Sequence, residues 1–279
     1  MRKAVFIIFV TLIYSCEDVV IVSLPNAQNL ITVEGWVTNF DENQYVRLTR
    51  SNNFASSELI TGITDASVAV ESITGKTYTY KYDSNGFYKS MNPFRGETGT
   101  DYRIRIELSN KDAIISKWEY MQEIVPIDTL FVDSFREDDP ENPRQQLTMF
   151  FPRVSAVDPG GKRNFYRWKF LRDGLVYDEP ETITIQDDRF FDGNFIPNNF
   201  RSFDYGEEEQ IIVQFQSINQ EAYDYLNLLK SQITSLGTSS GTTPSFVEGN
   251  LSYINSEENQ LVLGYFGTVA VSADTAMVE

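Results

Sequence analysis

Apolar and polar positions alternate with a period of two along most of this chain. Over residues 31–39 (ITVEGWVTN), Ile31, Val33, Gly35 and Val37 fall on one face and Thr32, Glu34, Trp36 and Thr38 on the other, the pattern of a half-buried strand. The stretch ASVAVESITGKTYTYKY predicts a hairpin, with Val68, Val70 and Ser72 on one strand, Tyr78, Tyr80 and Tyr82 in a row opposite, and Ile73-Thr74-Gly75-Lys76 as the turn. Asp83-Ser84-Asn85-Gly86 supplies a second turn before FYKS. In TDYRIRIEL, Tyr102, Ile104, Ile106 and Leu108 point inward. Residues 29–120 therefore predict one β-sandwich of about seven strands.

A seam follows at Val125-Pro126-Ile127-Asp128, and strand character resumes in TLFVDSF and QLTMFFPRV. Between them REDDPENPR (136–144), acidic and rich in proline, reads as a surface loop. Asp158-Pro159-Gly160-Gly161 is a strong turn signal, and residues 164–170 (NFYRWKF) alternate aromatic with polar groups. Residues 187–209 form a long, aromatic, irregular stretch of the kind that carries function or motion. After a strand at 209–218, one segment changes period. Ala222, Tyr225, Leu226, Leu229 and Ile233 make a helical stripe over 219–234, with Asn219 as cap and Gly237 as stop. A Ser/Thr/Gly loop leads to Pro244, and the chain finishes on the β-rich run LVLGYFGTVAVSA. No internal repeat is evident. The expected fold is mainly β, in two β-rich domains. Residues 29–124 form an immunoglobulin-like or carboxypeptidase-regulatory-like sandwich, and residues 125–279 a second β-rich domain with one prominent helix, 219–234.

The first residues have another grammar. Arg2 and Lys3 precede twelve uncharged residues (AVFIIFVTLIYS), a length that suits a signal peptide and falls short of the roughly 20 needed to span a bilayer. Ile13-Tyr14-Ser15-Cys16 resembles the cleavage box of bacterial lipoproteins. That resemblance implies removal of residues 1–15, a diacylglycerol on the thiol of Cys16, and a lipidated linker over 16–28. Several acyl chains at about 0.8 kcal/mol per buried CH₂ hold a protein on a membrane almost permanently. Glu17 and Asp18 resemble the acidic signal that sends such lipoproteins to the outer face of the outer membrane.

Composition narrows the chemistry. The 279 residues carry a net charge of −17, which disfavours nucleic acid as a partner. Histidine is absent and Cys16 is the only cysteine. Lipidation of that thiol would remove disulfides and thiolate chemistry, and the lack of histidine removes Ser-His-Asp and Cys-His catalysis and the common zinc sites. An enzyme here would run on carboxylates, Lys, Tyr or a calcium ion.

The run CEDVVIVSLPNAQNLITVEGWVTN resembles the start of the DUF4249 family of Bacteroidetes surface lipoproteins. Further along, the resemblance is carried by Pro126-Ile127-Asp128, by Asn164-Phe165-Tyr166-Arg167-Trp168 and by the helix entry at 216–225. Gly249-Asn250 after Pro244, and Leu263-Gly264-Tyr265-Phe266, complete it. The resemblance implies a lipoprotein on the outer membrane, facing the exterior, that serves as an accessory subunit of a TonB-dependent transporter by capturing substrate or capping the barrel. It implies no chemistry and no ligand; a glycan and a peptide both stay open. The alternatives are a structural or assembly subunit of an outer-membrane complex and, less favoured, a carboxylate-based glycan-active enzyme.

Candidate residues follow from this. Phe190, Phe191, Phe195, Phe200 and Tyr205, in the long loop, form the candidate partner or ligand surface, or else fold back over their own sheet. Trp36 and the Tyr78, Tyr80, Tyr82 row could stack on sugar but read better as packing. Asp187, Asp188 and Asp192 beside Gly193-Asn194 offer oxygens to Ca²⁺ without matching the EF-hand loop, so no metal or other cofactor is expected. Glu207, Glu208 and Glu209 read as a solvated run. No catalytic residue is nominated.

Overall fold

Alternating burial builds the first strands. In β1 (Ile31–Thr38), Ile31, Val33 and Val37 are buried while Glu34 faces solvent. In a computed structural model, residues 30–51, 60–139, 142, 144–176, 183–235, 246–254 and 261–278 are described; Cys16, Glu17, Asp18, Gly237 and Pro244 lie outside them. Strands β2 (Tyr45–Arg50), β3 (Thr61–Gly62), β4 (Ser67–Ser72), β5 (Thr77–Ser84), β6 (Phe87–Ser90), β7 (Asp101–Glu107), β8 (Ala113–Ser116) and the short β9 (Glu119–Tyr120) follow. Both predicted turns form. Val68 pairs with Tyr80 and Val70 with Tyr78 across the β4–β5 hairpin, and Asn85 and Gly86 turn at φ 46° and 82° into β6. Val33, Leu48, Val68, Val70, Ile104 and Ile106 lie at the centre of this core. Each such side chain contributes about 1.5–3 kcal/mol by leaving water.

The second half begins with β10 (Thr129–Asp138) and β11 (Gln146–Ser155), a two-stranded sheet of their own. The expected loop at 136–144 starts later than its composition suggests, because Arg136, Glu137 and Asp138 continue β10 in register with Thr148, Leu147 and Gln146. Their side chains are exposed, so the ladder carries them without burying charge. Then come β12 (Phe165–Arg172), β13 (Leu175–Val176), β14 (Thr184–Asp187), β15 (Gln210–Ile218), helix α1 (Gln220–Ser235), β16 (Leu251–Tyr253) and β17 (Leu263–Met277). Asn219 caps α1: its Oδ1 accepts the Ala222 N–H at 2.8 Å. Ala222 and Leu226, on the expected stripe, are buried.

Strand β17 ties the halves together. Residues 263–269 run parallel to β1, and residues 270–277 run antiparallel to β15. Among the described residues, the fifteen strands other than β10 and β11 thus join one hydrogen-bonded sheet, ordered β13-β12-β15-β17-β1-β2-β6-β5-β4-β7-β8-β16, with β14 on β12, β3 on β2 and β9 on β7. From Gly264 to Val271 both faces of β17 are buried, after which burial alternates. The reason is the period of two. Phe266 and Ala270 point into the core of the first strands, whereas Tyr265, Val269 and Val271 point toward α1. One strand feeds two cores, so its sequence is apolar at nearly every position.

Candidate functional site

The long loop divides its aromatics between the core and the solvent. Phe191, Phe200 and Tyr205 fold back into a core with Trp168, Phe170 and Phe215. Trp168 stacks on Phe215 with centroids 4.1 Å apart, and Phe170 meets Phe200 at 4.7 Å. The other two point out: Phe190 is 93% exposed and Phe195 71%. The loop is sewn onto β11. Ile196 N–H donates to Ala156 O at 2.9 Å, Tyr205 N–H donates to Phe150 O at 2.8 Å, and the Asn198 side chain both donates to Val154 O (2.7 Å) and accepts from Val154 N–H (3.2 Å).

This seam leaves an open groove of about 680 Å³ between the loop and the β10–β11 hairpin, with Phe131 and Phe195 on its rim and the Arg153–Asp133 ion pair (3.1 Å) in its wall. A second depression of about 430 Å³ continues past Asn198 to Arg201, whose guanidinium lies over both Phe135 and Phe151 at 5.6 and 5.5 Å. Of the five residues nominated from sequence, Phe195 borders the groove, Phe190 is exposed outside its lining, and Phe191, Phe200 and Tyr205 are buried in the core. Sequence reading missed Phe131, Arg153, Asn198 and Arg201. The signal was Phe131 and Phe135 recurring on a strand whose outward face is otherwise polar.

The acidic residues regroup. Asp187 turns to Arg163 (2.8 Å) and Arg189 (2.9 Å), and its expected place beside Asp188 and Asp192 is taken by Asp158. The three carboxylates lie within 4.8 Å of one another. Oxygens of this kind suit a hard cation, but protein donors already occupy them. Asp158 accepts Gly160 and Gly193 N–H, both at 2.9 Å, the Asn164 amide at 3.1 Å, and the Tyr166 hydroxyl. Burial pushes the Asp158 carboxyl up, and these four donors outweigh it and hold it below its ordinary value. The cluster fastens the 158–161 turn to the 188–193 loop.

Trp36 is half-buried, stacks on Tyr265 at 5.6 Å and carries Arg167 over its ring at 5.3 Å, so it packs the junction beside β17. Tyr78 stacks on Phe94 at 3.8 Å and Tyr80 is buried, so that row is mostly core edge. Glu209 ends the acidic run on Arg172 at 3.2 Å, while Glu207 and Glu208 are exposed.

A residue that sequence reading passed over holds the centre of the molecule. Glu119 is 2% exposed. Its Oε2 accepts from the Asn219 amide at 2.5 Å, and its Oε1 from the Asn250 amide at 2.7 Å and the Tyr265 hydroxyl at 2.8 Å. Burial raises its pKa to about 7; the three donors oppose the rise without cancelling it. A carboxyl of that kind is what carboxylate catalysis needs, yet both oxygens are bound to the scaffold. It is a peg joining β9, the cap of α1, the 250 segment and β17. Above it lies a cleft of about 400 Å³ whose wall includes the exposed rings of Trp118 and Tyr120. Trp118-Glu119-Tyr120 was readable as a charge between two aromatics, but a two-residue strand is too short to show a period.

Among the described residues no helix is long and apolar enough to cross a membrane. A comparison with curated proteins finds no match. The family model described as "Domain of unknown function (DUF4249)" matches residues 17–275, nearly the whole length, and with that span the chain belongs to the DUF4249 family.

Proposed function

We propose that the protein is a non-enzymatic lipoprotein of the outer membrane, anchored through Cys16 and facing outward, that acts as an accessory subunit of a TonB-dependent transporter. The observation that supports this reading best is the groove between the 195–198 loop segment and the β10–β11 hairpin, where Phe131 and Phe195 stand 53% and 71% exposed. Two phenylalanines held in water at one groove of an acidic protein are costly unless a partner covers them, and aromatic side chains are the usual anchors of protein interfaces. The hairpin stands outside the main sheet, so it can engage a barrel rim without disturbing the core. The leader and the lipidation box account for residence at the membrane, and the saturated hydrogen bonding of Asp158 and Glu119 accounts for buried carboxylates without assigning them a reaction.

The test is gentle detergent extraction of the tagged native lipoprotein, followed by mass spectrometry of what accompanies it. The expected result is a large outer-membrane barrel in near-equal amount, absent when Phe131 and Phe195 are both changed to Ala; the lipoprotein itself is expected to leave the membrane fraction when Cys16 is changed to Ala. Recovery of the lipoprotein alone would sink the accessory role.

A further inference from the structure

A second surface, which shares no lining residue with the groove, lies at β9. Trp118 and Tyr120 flank Glu119, and the period of a strand puts them on the face opposite to it. While Glu119 is driven into the interior, Trp118 stays 38% and Tyr120 40% exposed. Two residues along a strand set their Cα atoms about 7 Å apart. That spacing gives two ring-sized apolar surfaces side by side.

The backbone that carries both rings, and the Trp118 ring itself, are held before any ligand arrives. Glu119, directly between them, is fixed by three hydrogen bonds to Asn219, Asn250 and Tyr265. Tyr120 pairs through its backbone with Asp101 on β7. Arg103 lies over the Trp118 ring at 4.4 Å and is itself held by Glu71 at 2.7 Å. A ligand landing here loses little to ordering of the protein, which is the largest avoidable cost of binding.

Apart from Phe165 and Ile218, the rest of the cleft lining is polar. It includes Gln122 and Gln220, whose carboxamides each carry donors and acceptors in one plane. Asp101 and Glu221 stand there with Lys117, while Arg163 is committed to Asp187 at 2.8 Å. An anion would meet the two acids, and a cation would meet Lys117. A neutral molecule with one apolar face and a rim of hydroxyls meets aromatic rings together with amides and carboxylates. Pyranose sugars have that form.

We infer that the Trp118–Tyr120 cleft binds a neutral carbohydrate chain, with two successive sugar rings lying on the two aromatic side chains and their hydroxyls facing Gln122 and Gln220. The site is separate from the Phe131–Phe195 groove, and its binding does not depend on a transporter being present.

The test uses the soluble mature chain, with Cys16 replaced by Ser. It is titrated calorimetrically with neutral linear hexasaccharides of glucose (α-1,4 and β-1,4), mannose and xylose, and with a neutral hexapeptide as comparison. The expected result is saturable binding of at least one hexasaccharide, weakened at least tenfold in Trp118→Ala and in Tyr120→Ala and unchanged in Phe131→Ala. Both aromatic variants change exposed side chains, so their melting temperatures are expected to match the parent and to separate lost binding from lost folding. No binding of any of the four sugars, binding that survives both aromatic variants, or binding of the hexapeptide alone overturns the inference. Loss of barrel co-purification leaves these titrations untouched, so the failure of either reading is recognisable by itself.

Discussion

Gly264→Ala is expected to prevent folding or to cost more than about 4 kcal/mol, among the most damaging single substitutions available in this chain. Gly264 sits at φ 89°, where a side chain is strained in any surroundings. Here the surroundings are also full: a Cβ would lie 2.0 Å from the backbone oxygen of Val33, its partner in the parallel β1–β17 ladder. Neither strand can retreat. Val33 is buried, and Gly264 is pressed from behind by Gly249, whose own Cβ would fall 1.7 Å from Gly264 O. Gly75 provides the control. It has the same φ of 89° but nothing within 4 Å of an added Cβ. Gly75→Ala therefore carries the conformational penalty alone, about 1–2 kcal/mol. Chemical denaturation of the two variants separates the terms. If Gly264→Ala unfolds at the midpoint of Gly75→Ala, the close approach of β17 to β1 is not as described.

That contact also shows why some of the chain was legible and some was not. The strands of the first half were readable because each has one dry face and one wet face, as Val68 and Val70 against Ala69 illustrate. The helix was readable because a single segment changes period, and its cap is local, Asn219 to Ala222. The first part of β17 was readable as strand but not by facing, because burial on both faces erases the alternation that assigns side chains to a core. Its parallel pairing with β1, more than two hundred residues away, leaves no local mark. The family resemblance rested on residues whose purpose was hidden in the same way. Gly249 and Gly264 interlock as backbones. Asn250 accepts Phe266 N–H at 3.1 Å and donates to Phe266 O at 2.7 Å, in place of a strand. Asn219, Asn250 and Tyr265 converge on Glu119, which belongs to none of the quoted motifs. The division of the 190–205 aromatics between core and solvent was equally invisible, since Phe190 and Phe191 are the same residue type with opposite fates. Only the register of the loop on β11 decides which ring enters the core.

Glu119→Ala is expected to cost about 3–5 kcal/mol at pH 5, because it leaves a cavity and strands three buried donors, those of Asn219, Asn250 and Tyr265. Glu119→Gln separates the charge from the scaffold. In the folded protein the Glu119 carboxyl titrates at about 7, above its ordinary 4.5, because burial disfavours the anion. The folded state therefore holds a proton that the unfolded chain has released. Its contribution to stability is complete below about pH 4.5, declines as the pH rises, and is gone above about 7, a span on the order of 3 kcal/mol. Glutamine cannot titrate, so the stability of the parent minus that of Glu119→Gln is expected to fall by that amount between pH 4.5 and 8 and then to level off. Subtraction removes the contribution of the remaining acidic residues, which both proteins share. Urea midpoints at four or five pH values are sufficient. A difference that stays flat across the range would mean that Glu119 is ionised throughout, and the dry junction of β9, α1 and β17 would have to be wetter than its three hydrogen bonds and its 2% exposure imply.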